Sequence, residues 1–388
     1  MRKIKTGTKI MLLSLSMLTI MSNVAVVTML PHLSDVFSYE PNIELYSRLM
    51  ITLPSLAIAL LAPFLGHLIH NFGKRRAAIS ALLAFTLFGT AGLYLETIYE
   101  LLISRFFFGI SIAVLMIVST SLVGDYFSAQ TRHKFMGMQS AFISLGGIVF
   151  IVGGGILSDI NWRYPFSIYF LGLLVLIFVI AYLVEFKGSH TQESEDKNIN
   201  SNLFFIYLLA FAFMLVFYIL PTQMPFLMID VFHASGSMTG QIIATAFVFN
   251  ALGALSFSKL KNYFNFSTLY ILGLSIVGIG FFAIGQVNDI RFFFLTSPIV
   301  GFGGGILMTN TTAWMLSKAH STKRVKASAY LTSSLFLGQF LSPLATMPIV
   351  HHYGVQNFFS ICGITILVLI LLFKVSLYLL SSSSFKVR

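Results

Sequence analysis

The stretch GHLIHNFGKRR, Gly66 to Arg76, sets two glycines and three successive cations between two apolar runs. Each run is about twenty residues long, the length a helix needs to cross a 30 Å hydrocarbon core. A short cationic turn between two such runs reads as a hairpin of membrane-spanning helices. Composition agrees: 57% of the 388 residues are hydrophobic and only 10% are charged, whereas a soluble domain carries about 25% charged residues.

Working outward from this hairpin, the apolar pattern predicts twelve spans. The first, Ile10 to Leu30, follows Arg2, Lys3, Lys5 and Lys9. It is too long for a signal peptide core and no small-residue cleavage site follows it, so it reads as a retained helix. The others run over 49–70, 77–95, 101–122, 135–157, 165–184, 203–222, 239–258, 267–286, 292–314, 326–350 and 357–380. EFKGSHTQESEDKNINSN, between the sixth and seventh, is the one long polar segment and reads as a linker.

The net charge of +11 does not point to nucleic acid, because of where the cations fall. With the N-terminus inside, most of the 24 lysines and arginines lie in inner segments, among them Lys74, Arg75, Arg76, Arg132, Lys134, Lys259, Lys261, Lys318 and Lys323. This positive-inside bias predicts that both termini are cytoplasmic, in an integral protein of a bacterial cytoplasmic membrane. The single cysteine, Cys362, rules out an intramolecular disulfide framework or a thiolate metal cluster.

The second half restates the first at an offset of about 190 residues, a parallel repeat of the kind found in transporters. SRFFFG around Arg105 returns as IRFFFL around Arg291, and TRHKFMGMQSAF from Thr131 as KRVKASAYLTSS from Lys323. Pro31 and Pro221 are expected to end spans one and seven, and Gly66 aligns with Gly253. The predicted fold is an all-α polytopic membrane protein, with twelve helices in two pseudo-symmetric six-helix bundles. Its domains are 1–185 and 203–388, joined by a cytoplasmic linker over 186–202.

Gly66, His70, Gly73, Lys74, Arg75 and Arg76 carry a resemblance to the major facilitator superfamily. The signature loop of that family has the form Gly-x-x-x-Asp-x-x-Gly-[Arg/Lys]-[Arg/Lys]. The glycines suit a tight turn and the cations hold it in the cytoplasm. The resemblance implies a conformational latch, in which the loop cation pairs with an acid at the inner end of the fourth helix. Asp125 supplies that acid here, facing Lys74 or Arg75. His70 stands where the family has Asp, so one arm of the latch is neutral or pH-sensitive; a drifted interfacial residue is the plainer account.

Arg105 matches the fourth-helix arginine of the family. It is either a coupling residue facing a partner or wet cavity, or a side chain that snorkels to the interface. The fifth span carries Gly137, Gly146, Gly147, Gly153, Gly154 and Gly155, small residues that permit close helix approach. The resemblance is to the drug and metabolite exporter branch, although its Gly-Pro pair is missing.

Polar residues inside the spans are the expected cavity lining: Asn23, Gln139, Tyr218, Gln223, Gln241, Asn250, Asn310, Thr311, Trp314 and Gln339. Together with the 40 phenylalanines they describe a large apolar pocket with scattered amides, suited to amphipathic molecules; each amide could equally serve a hydrogen bond between helices. No carboxylate lies at mid-span, so proton coupling falls to the margins, to His32 and Asp35 in LPHLSD, to Asp230 or to Asp125. A solvated helix end is the alternative role for His32 and Asp35.

The function this predicts is secondary active transport by alternating access, as proton-coupled export of amphipathic drugs or metabolites. A nutrient importer or facilitator in the same fold is the alternative. HExxH, CxxC, GxSxG and GxxxxGK[ST] motifs are all missing, so no enzyme, cofactor or metal site is predicted. The expected partners are a small molecule, the proton and the bilayer, with the chain acting as a monomer.

Overall fold

The computed structural model describes residues 5–127, 129–184, 201–319 and 324–384. The expected linker lies almost wholly outside them. Among these residues the secondary structure is helical, with no strand. Fourteen α-helices follow in order: α1 Thr6–Val24, α2 Leu30–Val36, α3 Ile43–Phe72, α4 Lys74–Gly89, α5 Ile98–Tyr126, α6 Ala129–Ile160, α7 Leu171–Tyr182, α8 Ser201–Phe217, α9 Ile219–Phe226, α10 Gly236–Leu260, α11 Phe266–Gly285, α12 Phe293–Lys318, α13 Arg324–Tyr353 and α14 Val355–Ser384.

Eleven segments of the described chain are long and apolar enough to cross a membrane. They match eleven of the twelve expected spans. The other, Ile10–Leu30, is not one continuous helix: α1 stops at Val24, a 3-10 turn covers Val27–Met29, and α2 resumes at Leu30. The seventh expected span is interrupted as well. α8 ends at Phe217, α9 starts at Ile219, and a π-helical turn, Leu227–Val231, follows.

Pro31 and Pro221 therefore do not end their spans. Each sits in the first turn of the helix after the break, where the missing N–H has no intrahelical partner to lose.

The chain divides into two compact units, Met1–Ala244 with Met315–Thr346, and Thr245–Trp314 with Met347–Arg388. In the first, α5 lies against α3 at Gly109, where any Cβ would strike the backbone of Pro54. Phe85, Phe108, Phe166 and Tyr169 are fully buried, and Phe85, Phe108 and Tyr169 meet edge to face or tilted, with ring centroids 4.8–5.8 Å apart. In the second, α11 approaches α14 through Gly285 against Ser360 and Gly363 against Phe282. Small residues do the same between α10 and α12, at Gly253, Gly301 and Gly305. Close backbone approach is how helices pack in lipid, which supplies no hydrophobic drive between them.

Candidate functional site

The two interrupted spans are the first and seventh, which correspond under the sequence repeat. The first leaves the α-helix between Val24 and Val27, whereas at the seventh Tyr218 keeps right-handed helical dihedrals and its amide still bonds the Met214 carbonyl at 3.0 Å; irregular backbone at membrane depth is tolerated only where protein or a cavity covers it. The polar side chains nearest the breaks meet. Tyr218, at the junction of α8 and α9, places its hydroxyl within hydrogen-bonding reach of Asn23 from α1 and Gln339 from α13. All eight residues of α9 are buried.

One turn further along α9, Gln223 donates from Nε2 to Thr346 Oγ1 at 3.2 Å and accepts from Arg48 Nε at 3.0 Å. Arg48 was not anticipated from the sequence. Only 2% exposed, it also donates to the Glu44 carbonyl at 2.8 Å and has its guanidinium 3.7 Å from the centre of the Phe226 ring. Its carboxylate neighbour is Glu44, at 3.8 Å. The signal available was a lone arginine six residues into α3, in IELYSRLM; its partner lies 175 residues away, which no local pattern reveals.

Asn23, Tyr218, Gln339, Gln223, Thr346 and Arg48 thus form one polar strip across α1, α3, α9 and α13. Asp35 and Asp230 lie beyond it, near enough to interact electrostatically with each other. His32 is half-buried, with no hydrogen-bond partner for Nε2 among the described residues, while Asp35 is exposed.

The other expected positions fall elsewhere. Gln139 donates from Nε2 to the hydroxyls of Ser16 and Ser119, a polar knot of α1, α5 and α6. In the second compact unit, Asn310 is fully buried and donates to the Phe266 carbonyl at 3.0 Å, and Trp314 stacks on the Phe266 ring at 5.9 Å. Asn250 is half-buried, with its backbone against Gly305.

At the cationic hairpin, Lys74 and not Arg75 pairs with Asp125, at 2.6 Å. Arg75 donates to the Ile180 carbonyl at 3.0 Å. The Tyr126 hydroxyl donates to the Val184 carbonyl at 2.7 Å and accepts from the Val184 amide at 2.8 Å; burial pushes its pKa up, which keeps the donor protonated. These contacts tie the ends of α4, α5 and α7 together. The turn itself is made by Gly73 alone, at φ 92°. Gly66 lies inside α3, where an added Cβ would have no described neighbour within 4 Å, so it serves neither the turn nor a close approach to any described residue. The side chain of His70 lies outside the described ones.

Arg105 does not snorkel. It is fully buried, and Nη2 donates to the carbonyls of Phe88 and Gly89 at 3.1 and 2.9 Å, at the end of α4. Phe108, Phe166 and Tyr169 surround it with ring centres at 4.7–5.3 Å. Its Nε and Nη1 meet the hydrogen-bond geometry with no described residue.

No group of three or more metal-ligating side chains occurs among the described residues.

Comparison with known proteins agrees with this architecture. The tetracycline resistance protein, class B, of Escherichia coli is 25% identical over 276 residues, 71% of this chain and 63% of that protein. Multidrug resistance protein 2 of Bacillus subtilis is 30% identical over 40% of this chain and 41% of its own. A TsgA homologue from Buchnera aphidicola is 22% identical over 65% of this chain and 66% of its own. These alignments thus span between two-fifths and two-thirds of the relatives' own lengths. Among solved structures, a bacterial homologue of the human lysosomal transporter Spinster superposes with TM-score 0.75 at 17% identity, over 97% of this chain and 96% of that one. A POT family transporter in complex with 5-aminolevulinic acid also reaches 0.75, at 13% identity over 95% of each chain. The sequence profile of the Major Facilitator Superfamily matches residues 12–260 and 206–384; this chain belongs to that family and is an integral membrane protein.

Proposed function

We propose that the chain exports amphipathic drugs or metabolites in exchange for protons, by alternating access, and that the transported molecule engages the polar strip at the two helix breaks. The observation that carries this reading is the chemistry of the strip: neutral hydrogen-bonding groups, Asn23, Tyr218, Gln339, Gln223 and Thr346, with one arginine and buried aromatic surface beside them. Such a lining can hold a mostly apolar molecule and orient it by a few polar groups. Relatives named for multidrug and tetracycline resistance support the same class.

Protons would enter through the marginal acids, Asp35 and Asp230. Lys74 and Asp125 would act as a latch that holds one end of the first bundle rigid. The chain works as a monomer in a bacterial cytoplasmic membrane, with both termini cytoplasmic.

The experiment uses everted vesicles acidified inside, with a pH-reporting dye and a panel of lipophilic cations, zwitterions and small nutrients. Proton release on adding an amphipathic compound, lost in Asp230→Asn or Asp35→Asn, is the expected result. Equilibration of labelled solute with no proton movement would replace it with the second reading, a facilitator or importer of a small nutrient. The lack of any carboxylate in the central strip favours that alternative, and the TsgA homologue leaves room for it.

A further inference from the structure

α6 and α10 touch backbone to backbone, and one carboxylate closes the contact. A Cβ on Gly155 would strike the backbone at Gly236 and Ser237, and a Cβ on Gly240 would strike the Ile151 carbonyl. Beside these glycines the Asp159 carboxylate accepts the Gly236 amide on Oδ1 and the Ser237 amide, at 2.8 Å, on Oδ2. These are the first two N–H groups of α10, which have no intrahelical acceptor. The third, from Met238, goes to the Ser235 hydroxyl at 3.1 Å, and the fourth, from Thr239, to the Ser235 carbonyl at 2.9 Å.

Two of the donors at this helix end thus find their acceptors on a residue from the other half of the sequence. The neighbouring Ser158 hydroxyl bonds Thr28 at 3.3 Å, so the end of α6 is also fixed to the turn at the first helix break.

We propose that Asp159 is a gating residue: its bidentate bond to the start of α10 is the clasp that holds this end of the transporter shut, and it is broken and remade in each transport cycle. Two features fit a joint that opens. The contact surface is glycine backbone, with no interlocked side chains whose rotamers must change before the helices part. Its directional strength is concentrated in a single carboxylate acting on helix-end donors, which favour an anion and are satisfied by water once the joint separates. Arg48, bonded to Gln223 in α9, spans the same two halves of the sequence. The inference rests on the family assignment, not on the identity or direction of the transported solute.

The test measures distance between spin labels at Ile160→Cys and Val231→Cys, both exposed positions, in full-length protein carrying Cys362→Ser and without substrate or gradient. Asp159→Ala is expected to raise the longer-distance population about three- to thirtyfold. Ser235→Ala, which removes a cap of α10 without touching α6, is expected to lower the melting temperature and leave the distances unchanged. An Asp159→Ala distribution equal to the parent's, or equal broadening in both single variants, would overturn the clasp. Neither result bears on whether protons or amphipathic molecules are carried.

Discussion

Replacing Lys74 by alanine leaves Asp125 without its 2.6 Å partner. With side chains 22% and 20% exposed, the pair is shielded enough to exceed an ordinary surface ion pair, and its loss should cost about 1–2 kcal/mol. Arg75→Ala removes one bond from an exposed side chain to a carbonyl and should cost less. Thermal unfolding of the purified variants ranks them, and the double swap Lys74→Asp with Asp125→Lys should recover more than half of the loss. If Arg75→Ala proved the more damaging, the pairing in the structure would be wrong. The sequence had narrowed this ion pair to two cations facing one acid, because the motif fixes the spacing. It could not choose between them, since side-chain reach at a helix start depends on how α4 is rotated against α5. Arg48 was illegible for the same reason in a stronger form: nothing local to IELYSRLM points to Gln223.

Among the helices, glycine separates positions that pack from positions that merely occur in a motif. Gly109 presses on the Pro54 backbone across α3 and α5, and a methyl group there meets atoms that cannot move away. Gly109→Ala should therefore destabilise by about 1–3 kcal/mol, the usual cost of overpacking. Gly66→Ala meets no described atom and should stabilise α3 by up to about 1 kcal/mol through helix propensity. Melting curves of the two variants should move in opposite directions; a loss in both would mean that Gly66 is held by a contact the packing does not show. The positions of the spans were legible because twenty apolar residues between polar ends leave few alternatives in a membrane. The breaks were not, although Pro31 and Pro221 mark them. A proline permits the first turn of a new helix as readily as it ends an old one, and only tertiary packing decides which occurs.

At the scale of the molecule, the repeat places two interrupted helices where one sequence half answers the other, and the polar strip joins them. If transported molecules are oriented by this strip, its members should govern which molecules move more than whether the protein folds. Tyr218→Phe deletes one hydroxyl that faces Asn23 and Gln339 and keeps the ring that fills the space. Gln339→Leu deletes the amide at similar volume. Each deletion removes a hydrogen-bonding group, worth about 1 kcal/mol where a ligand uses it, or roughly a fivefold change in apparent affinity. Compounds with a hydrogen-bonding group should lose about that factor in vesicle transport, while purely apolar cations should be unaffected or improved, because a drier pocket suits them. The same variants should keep their melting temperature within a few degrees of the parent. A uniform loss across all compounds would instead assign Tyr218 and Gln339 to helix packing, and would move the search for the recognition surface along α9 toward Gln223 and Arg48.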